Sequence, residues 1–132
     1  MKISKCSPLP IRIGLAKIRL PSQNFRNSLV LCFDDAFICP HDQDEECKCR
    51  KPRTGLLIEA SQKYNLDYSR CEVIGDVGST DMLAAHAVGA MKILVQTGWG
   101  KGSLSEYRYT WANVEPDYVA ENFLEAVRWL VQ

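Results

Sequence analysis

Features that would direct this chain to a nucleic acid or a membrane are missing from its 132 residues. Sixteen basic residues balance sixteen acidic ones, so no overall field attracts the protein to nucleic acid or to an anionic lipid surface. No apolar run approaches the roughly 18 residues of a membrane span, and the opening MKISKCSPLP lacks the apolar core of a secretory signal. We therefore expect a cytoplasmic protein that binds any charged ligand locally, with no nucleic-acid or membrane partner.

The glycine-rich turn that binds dinucleotides, Gly-x-Gly-x-x-Gly directly after a strand, is absent as well. The nearest segments are GDVGSTD (75–81) and GWGKG (98–102), and neither has this spacing. This absence argues against a nucleotide-binding Rossmann domain.

Short apolar runs alternate with helical patterns along the chain. The predicted elements are a strand at 34–41, a helix at 55–66, a strand at 71–76, a helix at 79–90, a strand at 91–98 and a helix at 122–131. This order predicts an α/β fold: a Rossmann-like, three-layer α/β/α domain with a parallel sheet, spanning residues 1–132 as a single domain. The carboxyl ends of parallel strands meet at one edge, where such folds bind ligands.

Four metal-ligating side chains are concentrated after the first predicted strand. Cys39, His41, Cys47 and Cys49 form the pattern C-x-H-x5-C-x-C within CPHDQDEECKCRKP (39–52). Three thiolates and one imidazole complete a tetrahedral zinc site and leave no position for water, which is typical of a structural metal. The alternative is a loop of ordinary reduced thiols. We predict a zinc-binding loop over residues 39–49.

Two aspartates follow the next strand. Asp76 comes directly after the predicted strand, and Asp81 lies five positions later in the first turn of the following helix. Carboxylates at a strand end suit Mg²⁺, which takes one or two protein carboxylates and completes its shell with water and phosphate. The alternative is that both stabilise the helix N-terminus, by capping and through the macrodipole.

Arg50 and Lys51 follow the cysteine cluster immediately. An ammonium group beside a metal-bound phosphate offsets the charge that builds up in phosphoryl transfer, and a guanidinium can bind phosphate oxygens in a bidentate fork. The alternative is a solvated basic run. The tether to a metal loop favours the functional interpretation.

The segments CPHDQDEECKCRKPRTGLLIEA and VIGDVGSTDMLAAHAVGAMKILVQTGWG closely resemble the haloacid dehalogenase (HAD) superfamily of phosphatases. The resemblance is to the zinc-containing branch that includes heptose bisphosphate phosphatase and histidinol-phosphate phosphatase, and it covers residues 33 to about 131. It implies a Mg²⁺-dependent phosphomonoester hydrolase that acts on a small phosphorylated metabolite through an aspartyl-phosphate.

The resemblance also implies roles for individual residues. Lys51 matches the catalytic lysine of the third family motif, and Arg50 a neighbouring phosphate-contacting arginine. Asp76 matches the magnesium-binding aspartate of the fourth motif, and Asp81 the second acidic residue of that motif. The residues that match the zinc ligands are Cys39, His41, Cys47 and Cys49.

One family motif has no match. Family members open with a strand ending in Asp-x-Asp-Gly-Thr, whose first aspartate is the nucleophile, and no such segment occurs in these 132 residues. The nearest approach, FDDAF (33–37), has adjacent aspartates and no Gly-Thr. We therefore expect a domain truncated at its N-terminus that is inactive alone. The alternative is a non-catalytic zinc-binding α/β module that works with another polypeptide.

A missing nucleophile strand also leaves a structural gap, because that strand is central in the family's sheet. Each buried unpaired backbone group costs about 1–3 kcal/mol of stability, so the backbone groups of the exposed edge must form other hydrogen bonds. Three arrangements satisfy it: pairing with the chain's own N-terminal segment, a homodimer through the exposed sheet edges, or partial folding.

Overall fold

The computed structural model describes the backbone of residues 2–4, 17–19 and 30–32 and all of residues 34–132. The strands are β1 (Lys2–Ser4), β2 (Lys17–Arg19), β3 (Val30–Cys32), β4 (Glu72–Gly75), β5 (Met91–Val95) and β6 (Tyr118–Ala120). The α-helices are α1 (Gly55–Tyr64), α2 (Leu83–Val88), α3 (Gly100–Leu104) and α4 (Phe123–Leu130). Single helical turns lie at Tyr68–Arg70, Gly78–Met82 and Arg108–Trp111. Within the described part of the chain, no helix is long and apolar enough to cross a membrane.

The main sheet has four strands in the order β1-β4-β5-β6. Strands β4, β5 and β6 are parallel, with Ile74 opposite Ile93 and Ile93 opposite Tyr118. Strands β2 and β3 form a separate antiparallel ribbon. The predicted α/β fold with a parallel sheet is confirmed.

The outer edge of β4 is paired with the N-terminal segment. β1 runs antiparallel to β4, with Lys2 opposite Ile74 and Ser4 opposite Glu72. These bonds satisfy backbone groups of β4 that would otherwise lack a partner. Of the three predicted arrangements, the structure therefore shows pairing within the chain.

Side chains of β4 and β5 alternate between two apolar layers. Val73 and Leu94 belong to a cluster with Leu57, Met82 and Trp111, all at most 2% exposed. Their neighbours belong to a second cluster against α4, made of Ile74, Ile93, Val95, Ala120 and Ala126. Successive strand residues point to opposite faces, so helices cover the sheet on both sides, as predicted for three layers.

The predicted strand at 34–41 is wrong, because this segment has no strand structure. Its partly buried side chains contact α1 instead. Asp35 accepts hydrogen bonds from Lys63 Nζ at 2.5 Å and Tyr64 Oη at 2.6 Å, and the ring of Phe37 packs edge-to-face on Tyr64 at 6.5 Å. Side chains rather than a backbone ladder attach this segment to the last turn of α1, while Ile38 on the other side is 79% exposed.

The other predicted elements are present with shorter boundaries. The helix predicted at 55–66 ends at Tyr64 because Asn65 adopts a left-handed conformation with φ 50°. The helix predicted at 79–90 ends at Val88, followed by Gly89 with φ 76°. The last helix begins after Asn122, whose side chain accepts the N–H of Glu125 at 2.9 Å.

Candidate active site and metal centre

The four predicted zinc ligands converge. Cys39 Sγ lies 3.1 Å from Cys49 Sγ and 3.7 Å from Cys47 Sγ. His41 Nδ1 lies 3.1 Å from Cys49 Sγ and 3.6 Å from Cys39 Sγ. All four ligand atoms fall within 4.8 Å of one another. A tetrahedral site with Zn–S bonds of about 2.3 Å separates its sulfurs by about 3.8 Å, so this cluster fits a zinc ion with small adjustments.

Neighbouring groups shift the pKa of two of the three thiols. The side chain of Cys39, together with burial, raises the pKa of the Cys49 thiol to about 12. Burial alone would raise the pKa of Cys47, but the N–H groups of Arg50 and Cys49 lower it to about 6. Ionised thiols this close together repel one another, and a cation bound among them would offset that repulsion.

Arg50 is bound to this loop. Its backbone N–H donates to Cys47 Sγ at 3.3 Å, and its Nη2 donates to the carbonyl of His41. Its Nε is buried and has no hydrogen-bond partner among residues 34–132. The metal loop therefore holds the guanidinium, while the buried Nε–H needs an acceptor that the described residues do not supply.

Lys51 reaches from the loop to the sheet. Its Nζ donates to Asp81 Oδ1, and its side chain remains 25% exposed. Asp81 is 3% exposed, and its other oxygen accepts the N–H of Val77 at 3.2 Å. A Cβ on Gly75 would lie 2.3 Å from this oxygen, so only glycine fits there. Both oxygens of Asp81 are thus occupied, and its contacts are those of a residue that orients Lys51.

Asp76 lies at the carboxyl end of β4, as predicted. Its Oδ2 accepts the N–H of Trp99 at 2.9 Å. Gly98, with φ 58°, allows this approach, because a Cβ there would lie 2.2 Å from the same oxygen. Oδ1 has no hydrogen-bond partner within the described ranges, and the residue is only partly buried. One carboxylate oxygen is therefore held in place while the other is available to a cation.

The structure brings only some of the predicted residues to one edge of the sheet. Lys51 meets Asp81, which packs over Gly75, the residue before Asp76. Arg50 stays on the metal loop. The roles of Lys51 and Asp76 in catalysis, of Arg50 and Lys51 in substrate binding and of Asp76 and Asp81 in magnesium binding stay predictions.

Ser103 supports this edge and was missed by sequence reasoning. It is 4% exposed, its Oγ donates to the backbone carbonyl of Asp76 at 2.9 Å, and the same Oγ accepts the N–H of Gly78 at 3.1 Å. Trp111 Nε1 donates to the Ser103 carbonyl at 2.9 Å and packs over Gly78. Ser103 lies far along the chain in a segment without a motif, so no local pattern indicates it.

Known proteins share this combination of segments. Residues 48–126 match the model of a family described as HAD-hydrolase-like. The chain is 44% identical over 81 residues to a D-glycero-D-manno-heptose-1,7-bisphosphate 7-phosphatase of Thermosynechococcus vestitus, covering 61% of this chain and 40% of the relative. It is 30% identical over 126 residues to the histidine biosynthesis bifunctional protein HisB of Buchnera aphidicola, covering 87% of this chain and 33% of that protein.

A solved structure is similar as well. It is a D,D-heptose 1,7-bisphosphate phosphatase from B. bronchiseptica complexed with magnesium and phosphate, with a TM-score of 0.68 and 31% identity. The match covers 77% of this chain and 54% of that one. This chain thus spans about half or less of the length of each of these three proteins.

Proposed function

Because the chain belongs to the HAD-like hydrolase family, we propose that it carries the metal- and phosphate-binding part of a Mg²⁺-dependent phosphomonoester hydrolase. The relatives that support this proposal are phosphatases of heptose bisphosphate and a histidine biosynthesis protein. The proposed substrate is accordingly a small phosphorylated metabolite, either a sugar bisphosphate or histidinol phosphate.

The ion pair between Lys51 and Asp81 carries this proposal. It brings an ammonium group from the metal loop to the end of β4, where Asp76 presents an unpaired carboxylate oxygen. An anion placed between the two would meet a fixed positive charge on one side and a metal-binding oxygen on the other. This combination suits a phosphate group.

Asp76 would hold magnesium through Oδ1. A hard carboxylate oxygen at a strand end is a suitable ligand, and the hydrogen bond from Trp99 fixes its orientation. Bound magnesium supplies charge neutralisation for the phosphoryl oxygens. The similar heptose bisphosphate phosphatase was crystallised with magnesium and phosphate, which supports the assignment.

The remaining residues orient the phosphate. The hydrogen bond to Asp81 holds the Lys51 ammonium group in place, so the side chain loses little conformational entropy when it binds an anion. Arg50 is held on the metal loop, and its contact with phosphate stays a prediction. Zinc on Cys39, His41, Cys47 and Cys49 would be structural: it would fix the loop from which both basic residues extend.

The nucleophile is the missing part. No Asp-x-Asp-Gly-Thr segment occurs in the 132 residues. We propose that this chain alone binds phosphate without turnover. That absence also favours a second candidate, a non-catalytic zinc-binding module that works with another polypeptide. A cytoplasmic location and a homodimer through sheet edges stay predictions.

Calorimetric titration with inorganic phosphate tests this function. We expect phosphate to bind in the presence of Mg²⁺ and to lose at least tenfold in affinity with Asp76→Asn, a change of about 1.4 kcal/mol or more. Asp34→Asn, an exposed aspartate without a described hydrogen bond from its side chain, is the matched control and should leave binding unchanged. A phosphate affinity that changes neither with Mg²⁺ nor with Asp76→Asn would contradict the proposal.

A further inference from the structure

The hydroxyl group of Ser103 bridges the two ends of the turn that follows β4. Its Oγ donates to the backbone carbonyl of Asp76 at 2.9 Å and accepts the backbone N–H of Gly78 at 3.1 Å. A single hydroxyl group therefore lies between the carbonyl at one end of this short turn and the N–H at the other. The spacing across the turn depends on a side chain that lies 25 positions further along the chain than Gly78.

The same turn connects the candidate magnesium ligand to the ion pair of the metal loop. The N–H of Val77 donates to Asp81 Oδ2 at 3.2 Å. The next N–H along the chain, that of Gly78, donates to Ser103 Oγ. Two consecutive backbone N–H groups are thus bound by two different side chains. The first bond fixes the turn relative to Asp81 and its partner Lys51, and the second fixes it relative to α3.

Ser103 is itself held in place by groups outside the turn. The residue is 4% exposed, its backbone N–H donates to the Trp99 carbonyl at 2.8 Å, and its carbonyl accepts Trp111 Nε1 at 2.9 Å. The start of α3 is packed tightly on the end of β5, because a Cβ on Gly100 would overlap the carbonyl oxygen of Val95. A hydroxyl group that is fixed in this way can impose a geometry on the turn, whereas a mobile one would adapt to it.

Magnesium is sensitive to such geometry. It requires nearly octahedral coordination with bonds of about 2.0–2.1 Å, so a small displacement of the Asp76 backbone would move Oδ1 out of position. Removing a group that orients a metal ligand from behind typically lowers metal affinity by about 10–100-fold. The bond from Ser103 Oγ to the Asp76 carbonyl is a contact of this kind.

We propose that Ser103 is a positioning residue whose hydroxyl group sets the placement of Asp76 relative to the Lys51–Asp81 pair, and so couples magnesium binding to phosphate binding. It acts through Asp76 rather than by contacting a ligand. The inference rests on the proposed function and adds to it a residue from a separate element of the fold. Without this hydroxyl group, Mg²⁺ binds more weakly, and bound phosphate strengthens Mg²⁺ binding less.

Calorimetric titration of the whole chain with Mg²⁺, with and without saturating inorganic phosphate, tests the inference. We expect Ser103→Ala to weaken Mg²⁺ binding about tenfold and to reduce the factor by which phosphate strengthens it. Ser103→Thr keeps the hydroxyl group, and its extra methyl group has room in the pocket of about 390 Å³ that Ser103 lines, so this variant should retain most of the wild-type affinity.

Ser105→Ala is the matched control. It also removes a serine hydroxyl that donates to a backbone carbonyl, that of Lys101 at 2.8 Å, but this bond does not involve the turn after β4. We therefore expect Ser105→Ala to change neither the Mg²⁺ affinity nor its dependence on phosphate. A loss of Mg²⁺ affinity in Ser105→Ala equal to that in Ser103→Ala would overturn the inference.

A merely structural role predicts a different result. Ser103→Ala would then lower the free energy of unfolding but leave the Mg²⁺ affinity of the folded protein unchanged, and this outcome overturns the inference. Equal losses of affinity in Ser103→Ala and Ser103→Thr overturn it as well, since the hydroxyl group would not be responsible. If Ser103→Ala does not fold, Trp111→Phe replaces it. This variant removes the indole N–H that holds the Ser103 carbonyl but keeps an aromatic ring over Gly78, and an unchanged Mg²⁺ affinity would overturn the inference.

The outcomes also separate the two proposals. If the wild type binds Mg²⁺ and phosphate and Ser103→Ala binds both equally well, the role of Ser103 is overturned and the proposed function stands. If the wild type binds neither ligand, the proposed function fails and this inference falls with it.

Discussion

The metal loop (39–49) and the aspartate edge (75–81) are built in opposite ways. The loop gathers four ligands that are close in sequence, and thiols crowded together in this way suit a bound cation. The edge is already organised by the protein alone: Asp81 is buried on Gly75 and paired with Lys51, and Asp76 is held by Trp99. We infer that the loop depends on its metal for order, whereas the edge depends on close backbone packing.

Of the predicted changes, removal of the metal should have the largest effect. The resulting loss of order should be confined to the metal loop. We expect one zinc per chain, lost entirely with Cys47→Ser, because three remaining ligands leave the site open and weaker. Metal analysis after dialysis measures the stoichiometry. His41→Ala should weaken zinc binding strongly, while His86→Ala, an exposed histidine on α2, should not. Zinc retained at one per chain in Cys47→Ser would show that the four residues are not the ligands.

Crowding the aspartate edge should reduce stability by an intermediate amount, and this loss should not depend on zinc. A Cβ in Gly75→Ala would press on the buried Asp81 carboxylate, so we expect a loss of about 1–3 kcal/mol in the free energy of unfolding. Denaturant titration of the zinc-loaded protein measures it. Gly102→Ala is the control, since its Cβ would meet only movable side-chain atoms, the ring of Tyr107 at 3.3 Å and Glu106 Oε1 at 3.5 Å. Equal stability of the two variants would contradict the close packing that we describe.

The smallest effect should come from the ion pair between Asp35, in the segment before the metal loop, and Lys63 of α1. The hydrogen bond from Lys63, with a second from Tyr64, lowers the pKa of Asp35 from its ordinary 3.8 to about 2. A depressed folded-state pKa means that this contribution is present above pH 3.8 and is lost as the pH falls toward 2. Asp35→Asn should therefore lower stability slightly at pH 6 and make no difference near pH 2.

Thermal unfolding of the wild type and of Asp35→Asn at the two pH values measures this prediction. Because Asp35 is at the surface, salt should reduce the difference at pH 6. A difference that persists at pH 2 would mean that Asp35 acts through something other than its charge.

The same contrast explains what the sequence could predict. The Cys/His cluster was predictable because its four residues lie within eleven positions, and the place of Asp76 because a buried strand ends directly before it. Ser103 and Gly98 were not, since their contacts with Asp76 cross between separate elements. The strand predicted at 34–41 failed because a short apolar run shows that side chains pack on the protein, not whether a neighbouring backbone is available for pairing.

The sheet shows the same limit. The parallel strands β4 and β5 are apolar runs that the sequence reveals, but β1 is only three residues long and pairs with β4 across about 70 positions of chain. Such pairing depends on which edge is left open by the rest of the fold, and no local pattern encodes it.

The central claim is that a phosphate group binds between Lys51 and Asp76. The most direct measurement is a crystal structure of the chain grown with Mg²⁺ and inorganic phosphate. The account predicts a phosphate oxygen within hydrogen-bond distance of Lys51 Nζ and a cation on Asp76 Oδ1, with zinc among the four loop ligands. A phosphate bound elsewhere, or a Lys51–Asp81 pair that excludes the anion at saturating phosphate, would contradict it.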